Sequence, residues 1–152
     1  MLSASPQLLA HLREWEAFRA HAYLDEVAKP PVWTIGYGDT LGVKQGDVTT
    51  EPEAAIRLQD RVAREFAPEV WDALPGFQDR ILPYEFDALL GLVYNIGTGN
   101  FRSSTLAAML NRGERAALAA EQFAVWNHSG GVEVRDLTKR RAREMRVFLV
   151  GW

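Results

Sequence analysis

The chain has 152 residues, 47% of them hydrophobic and 24% charged, with no cysteine and a net charge of −3. Such a length and apolar content suffice for one full core, or for two small lobes sharing a helix, and they exclude a disordered chain. Without cysteine there are no disulfides and no zinc–thiolate sites, so the redox state of the compartment is immaterial.

Ser5-Pro6 reads as a helix opening, a capping serine followed by a residue whose fixed φ suits the first turn. The pattern predicts a helix from Pro6 to about His21. On it Leu8, Leu9, Leu12 and Trp15 share one face, and Glu16 falls inside that apolar arc. An apolar face favours the protonated carboxyl, which suits a general acid. Arg19, three residues on, offers a competing role for Glu16 as half of a buried ion pair, and helix position alone favours that structural role.

Asp25 follows in a loop rich in polar residues and prolines, where a carboxylate stays solvated. Two carboxylates in such different surroundings suit acid and base roles, although a lone turn aspartate more often bonds its own backbone. Val32-Trp33-Thr34-Ile35 has the β-branched and aromatic content of a strand, with Gly36 and Gly38 admitting a close neighbour to its backbone. Thr34 places a hydroxyl where it could help to orient a water for Asp25. Gly36-Tyr37-Gly38 and Gly42 imitate a dinucleotide-binding fingerprint, but the third glycine is one residue late and no βαβ pattern follows.

Thr50-Glu51-Pro52-Glu53 is a capping box. It opens a helix with Leu58, Val62 and Phe66 on its buried face, predicted to end at Pro68 and to connect two lobes. A short helix is expected from Val70 to Leu74, stopped by Pro75-Gly76. Pro83 begins the most apolar segment, whose Phe86 to Ile96 should be buried nearly all round as the axis of the larger lobe. Ser103-Ser104 caps a helix through Asn111, with Gly113 beyond its end. Residues 114–126 form another helix, Asn127 to Gly131 a loop, and the last helix starts near Thr138.

His11, His21 and His128 are scattered, and no cluster of histidines and carboxylates has metal-ligand spacing, so no metal and no cofactor is expected. Residues 1–99 carry eight Lys/Arg against fifteen Asp/Glu, whereas residues 100–152 carry nine against five. The basic run Lys139 to Arg146 suggests nucleic acid at first sight. Because Glu144 interrupts it and no base-stacking motif accompanies it, a solvated helix face is the preferred reading, with no nucleic-acid partner. Leu8-Leu9 is soon followed by His11, Arg13 and Glu14, which is not a signal peptide, and no stretch approaches membrane-spanning length. The expectation is a monomer made in the cytoplasm without a cleavable signal and without stable membrane insertion.

Glu16 and Asp25, eight residues between them, with Ala22-Tyr23 before the aspartate and Thr34-Ile35-Gly36-Tyr37-Gly38-Asp39-Thr40 after it, resemble the phage-type lysozymes of glycoside hydrolase family 24. The resemblance continues through Phe86-Asp87-Ala88-Leu89, Asn95-Ile96-Gly97, Ser104-Thr105-Leu106 and Trp126-Asn127 to Leu137, Arg140-Arg141 and Glu144. In four places the chain departs from that pattern. Ala17 stands where glycine is usual after the glutamate, and eight residues separate Asp25 from Thr34 where five are commoner. Asp39 stands for a frequent histidine, and Asp136 for a glycine.

The resemblance implies a single lysozyme domain of α+β class. Its small lobe would hold a short antiparallel sheet over about 22–48, followed by a connector helix over about 50–66. A larger all-helical lobe over about 68–152 would include the N-terminal helix. It further implies a muramidase acting on the β-1,4 bond between N-acetylmuramic acid and N-acetylglucosamine of peptidoglycan, in a cleft between the lobes. Glu16 would be the general acid, and Asp25 with Thr34 would activate the water. Thr40, Tyr94 and Thr105 would contact the glycan, and Arg140 or Arg141 would approach Glu16. The enzyme would meet the wall after release by a holin or by another export route. A lytic transglycosylase or a non-hydrolytic wall binder would need the acid but not the water-activating pair.

Overall fold

Ala17 sets where the first helix stops. In the computed structural model, which describes residues 2–152, its φ is 48°, the left-handed region that a helix commonly uses to terminate and that glycine normally occupies. The first helix, α1, therefore spans Pro6–Glu16 and not Pro6 to His21. Ser5 caps it, its Oγ accepting from the Leu8 amide at 3.1 Å. Alanine is the strongest helix former, so composition carried the expected helix across a residue that ends it.

The chain forms two compact units, one of Leu9–Arg61 and one made of the segment up to Leu8 together with Val62–Trp152. In the first unit, β1 (Arg19–Asp25) alternates in exposure and pairs antiparallel with β2 (Val32–Gly36). Opposite partners are Asp25 and Val32, Leu24 and Trp33, and Tyr23 and Thr34, with a bulge between Arg19 and Tyr23. Asp47 to Thr49 lies along the other edge of β1, its carbonyl at Asp47 accepting from Ala22 and its Thr49 amide donating to Ala20. Helix α2 (Glu51–Arg61) starts at the expected capping box. Glu53 accepts from the Thr50 amide and hydroxyl at 2.9 and 2.8 Å, and those bonds hold its carboxyl below the usual range.

Gly36 shows what the glycines of the strand end are for. It has φ +63°, and an added Cβ would lie 2.9 Å from the Cβ of Ala54 on α2. The close neighbour is thus the helix that follows.

Pro68 does not end the helical path. A wide π-turn at Val62–Phe66 leads directly into α3 (Ala67–Asp72), with Pro68 in its first turn. A proline inside a regular helix loses one ladder bond and clashes with the carbonyl four residues back, and the widened turn lies where that clash would fall. Leu58, Val62 and Phe66 are buried as their spacing predicts.

In the second unit, α4 (Pro83–Ile96) is buried at every position from Glu85 to Val93 and is the axis of the helical core. Its buried Asp87 accepts from the Ser5 amide and from the Trp152 indole at 3.0 and 2.8 Å. Around it come α5 (Thr98–Arg102), α6 (Thr105–Asn111), α7 (Ala116–Ala120) and a 3₁₀ turn (Glu121–Trp126). Ser104 caps α6 by accepting from the Ala107 amide. Where a loop was expected, His128–Ser129 (β3) and Val132–Glu133 (β4) form a small hairpin. Gly130 and Gly131 both have positive φ, the requirement of its two-residue turn. Helix α8 (Arg135–Val150) consequently begins three residues earlier than Thr138, and Asp136 lies in its first turn, where an acidic residue suits the helix dipole.

The basic run on α8 is not a solvated face. Arg140, Arg141 and Glu144 are each no more than 3% exposed. Arg140 Nε donates to Glu144 Oε1 at 3.1 Å, Arg141 Nε lies 3.0 Å from Oε2, and Arg141 Nη2 donates to Asn95 Oδ1 at 3.2 Å. Spacings of three and four residues turn all three inward together, and only their neighbours in the run face water.

Ala17→Gly removes the left-handed strain at the end of α1. We expect it to raise stability by about 1 kcal/mol net of the greater freedom of glycine in the unfolded chain, or roughly 3 °C in Tm for a domain of this size. An unchanged or lower Tm by calorimetry would show that the position is not strained.

Candidate active site

Glu16, Asp25, Thr34 and Thr40 all belong to the Leu9–Arg61 unit. Glu16 is the last residue of α1 and is half-buried, the helix ending beneath it because Ala17 turns the backbone away. Asp25 is the last residue of β1. Its Oδ1 accepts from the amides of Val27 and Ala28 at 3.0 and 3.4 Å, so it does make the turn that a lone aspartate would make. Its Oδ2 accepts no hydrogen bond among the described residues.

The strand register decides how Asp25 and Thr34 are related. Residues directly opposite in an antiparallel pair share a face, so Asp25, Val32, Tyr23 and Thr34 project to one side, with Asp25 and Thr34 as diagonal neighbours. Thr34 is buried and its hydroxyl donates to the Val32 carbonyl at 3.3 Å. Of the eight residues between Asp25 and Thr34, two belong to β2, and the other six form the hairpin loop that contains a cis Lys29–Pro30 bond. The additional length is therefore confined to the loop.

Tyr23 was not among the candidate residues, yet it stands beside them. Its phenol is held above its ordinary pKa by burial first, then by the negative charge of Asp25. The guanidinium of Arg19 opposes the shift, and Glu16 adds a smaller raising effect. Arg19 lies over the Tyr23 ring, 5.5 Å from its centroid. One side chain thus feels both carboxylates. Its alternation with Asp25 along β1 was the sequence signal, hidden because the expected helix took in the first residues of that strand, up to about His21, and Asp25 was expected in a loop.

Beyond β2, Tyr37 is buried. Its hydroxyl donates to Glu51 at 2.9 Å, and burial, followed by that bond, raises its pKa. Thr40 is half-buried in the turn after Asp39. Tyr94 and Thr105 belong to the helical unit, and the register that relates Asp25 to Thr34 does not reach them. Tyr94 is half-buried on α4 with its ring 4.9 Å from that of Phe66. Thr105 is exposed at the start of α6, where with Ser103, Gln122 and Trp126 it borders a depression of about 250 Å³. Among the described residues no group of three His, Asp or Glu side chains is placed to hold a metal ion.

A mostly helical chain with two small antiparallel ribbons is a lysozyme-like α+β fold. The phage lysozyme family model matches residues 13–144. The endolysin of Bacillus phage PZA is 38% identical over 92% of this chain and 52% of its own length. The muramidase domain of SpmX from Asticaccaulis excentricus superposes with a TM-score of 0.87 at 25% identity, covering 99% of both chains. The endolysin from Escherichia coli O157:H7 phage FAHEc1 does so with a TM-score of 0.82 at 29% identity, covering 99% of this chain and 96% of that one. The chain belongs to the phage lysozyme family. It spans about half the length of the Bacillus phage endolysins it matches.

Removing the charge at Asp25 removes one of the causes that raise the Tyr23 phenol, and removing that at Glu16 removes a smaller one. Asp25→Asn is therefore expected to lower the Tyr23 pKa, and Glu16→Gln to lower it less, as followed by NMR of ring-labelled tyrosine. A Tyr23 titration that neither variant moves would place the carboxylates away from the phenol.

Proposed function

We propose that the chain is a muramidase, hydrolysing the β-1,4 bond between N-acetylmuramic acid and N-acetylglucosamine in bacterial peptidoglycan. The observation that carries this reading is the register that keeps Asp25 and Thr34 on one face with an Asp25 oxygen open. A water donating one hydrogen to Asp25 Oδ2 and the other to Thr34 Oγ1 turns its lone pair outward, toward an anomeric carbon. The Thr34 hydroxyl already donates to Val32, so its oxygen is the acceptor in that arrangement.

In the reaction Glu16 gives its proton to the leaving glycosidic oxygen as the bond to the anomeric carbon breaks. The water oxygen bonds that carbon from the opposite face while its proton passes to Asp25, giving inversion. Such a mechanism calls for carboxyl groups about 6.5–9.5 Å apart, with room for the water between them. Thr40, Tyr94 and Thr105 are the candidate glycan contacts.

The relatives named endolysins come from phages and the SpmX muramidase domain from Asticaccaulis excentricus, and we infer that the wall is reached either after release by a holin or by another export route. No described helix is long and apolar enough to cross a membrane. We assign the enzyme as a monomer without a nucleic-acid partner.

Glu16→Gln is expected to abolish clearing of purified walls while leaving stability equal or higher, since a half-buried amide costs less to desolvate than a carboxylate. Clearing by the variant at near the wild-type rate would remove Glu16 from the mechanism. A lytic transglycosylase also needs the acid but closes a 1,6-anhydro ring and uses no water. Mass spectrometry of the wild-type digest is expected to show reducing N-acetylmuramic acid ends. Mainly anhydro-muropeptides would establish the transglycosylase, and no released product would establish a non-hydrolytic binder.

A further inference from the structure

We propose that Asp39 is a positioning residue for this reaction, holding the end of β2 that carries Thr34 through a carboxylate clamped to α2. The proposal rests on the muramidase reading and adds to it a residue that touches neither water nor glycan.

Asp39 grips its surroundings twice. Its backbone pairs in both directions with Ile35, the neighbour of Thr34, with N–H to O distances of 2.9 Å each way. Its side chain is only 11% exposed. Oδ1 accepts from the Leu41 amide at 3.0 Å, spanning Thr40, and Oδ2 accepts from Arg57 Nε. The guanidinium of Arg61 lies 3.9 Å from Oδ1.

The same two arginines continue the clamp onto the backbone. Arg61 Nη1 donates to the Gly38 carbonyl at 3.0 Å, and Arg57 Nη2 donates to the Leu41 carbonyl at 3.2 Å. Four residues apart, they lie on one face of α2, the helix that Gly36 allows β2 to approach. Every residue from Gly38 to Leu41 is thereby fixed directly or spanned.

A carboxylate suits this position for a reason that an amide cannot meet. One of its oxygens serves an amide N–H and the other a guanidinium, and both are acceptors. Asparagine would keep the size but turn an NH₂ group toward either the Leu41 amide or Arg57. The clamp would open at one side, and Ile35 with Thr34 would be held by the backbone pair alone.

A water held by Asp25 and Thr34 reacts only from a narrow range of positions, and a shift of about 1 Å can cost as much as a hundredfold in rate. Asp39→Asn is therefore expected to lower kcat and kcat/KM together by roughly ten- to a hundredfold on soluble, uncrosslinked glycan strands. KM should stay nearly unchanged, measured well below the Tm of each variant, and Asp39→Glu should restore part of the loss.

The decisive comparison is made in a Thr34→Ala background. There Asp39→Asn should cost less than about twofold, because the group through which it acts is gone. Wild-type kcat in Asp39→Asn, or an equal loss with and without Thr34, would overturn the positioning role while leaving the muramidase reading intact. A wild type that releases no reducing ends from walls would overturn both. Should Asp39→Asn fail to fold, Arg57→Gln carries the same expectations, since it loosens the clamp from its more exposed side.

Discussion

The antiparallel register of β1 and β2 is the constraint on which the site depends. Side chains alternate along a strand, so a slip of one residue would send Thr34 to the opposite face from Asp25. Register is held where one face is buried, and here β2 supplies the anchor. Thr34, Ile35 and Gly36 are buried, whereas no residue of β1 is. The bulge between Arg19 and Tyr23 confines the irregularity to the start of β1, so the pairing near the chemistry is regular. What fixes β2 also fixes Thr34 relative to Asp25, and the contacts of Gly36 and Asp39 with α2 do so from the side away from β1.

The helical unit depends on a different balance. Burying Arg140, Arg141 and Glu144 costs several kcal/mol per charge before any pairing. That cost is offset by the short contacts among the three side chains and by the donations to Asn95 and to the Gly91 carbonyl at 3.3 Å. A cluster of this kind contributes little net stability compared with apolar packing. Its effect is directional, because the two guanidiniums of α8 meet α4 where it offers the Gly91 carbonyl and the Asn95 side chain.

How far the sequence reveals this structure depends on the range of the signal. The capping boxes and caps at Thr50 and Ser104 and the apolar run of α4 are local, and each element lies where its pattern puts it. The end of α1 was hidden because Ala17 adopts a backbone conformation that its own identity disfavours, and β1 was then partly absorbed into the expected helix. Pro68 misled in the other direction, since the π-turn that accommodates it leaves no mark in composition. Gly130-Gly131 was a readable turn, but strands of two exposed residues carry no periodicity. Among candidate site residues, Glu16, Asp25 and Thr34 stood out through their spacing. Tyr23 and the Asp39 clamp did not, because their meaning lies in cross-strand and strand-to-helix contacts that no local window contains.

The length of the loop after Asp25 follows from the same reasoning. Compared with the commoner spacing, three more residues lie between Asp25 and Thr34, which lengthens the hairpin loop from about three to six. Closure entropy grows only with the logarithm of loop length, so a doubling costs about 0.6 kcal/mol. Moving the register by one residue instead would expose the buried side of β2 and cost several kcal/mol at about 25 cal/mol per Å². The chain accordingly keeps the pairing of Asp25 with Val32 and lets the loop take up the difference. Asp25 contributes to that outcome itself, since the oxygen it gives to Val27 and Ala28 shapes the first turn of the loop while the other stays open. The turn-forming role that would ordinarily argue against catalysis is here compatible with it, because the bonds to the loop use one oxygen and hold the second in place.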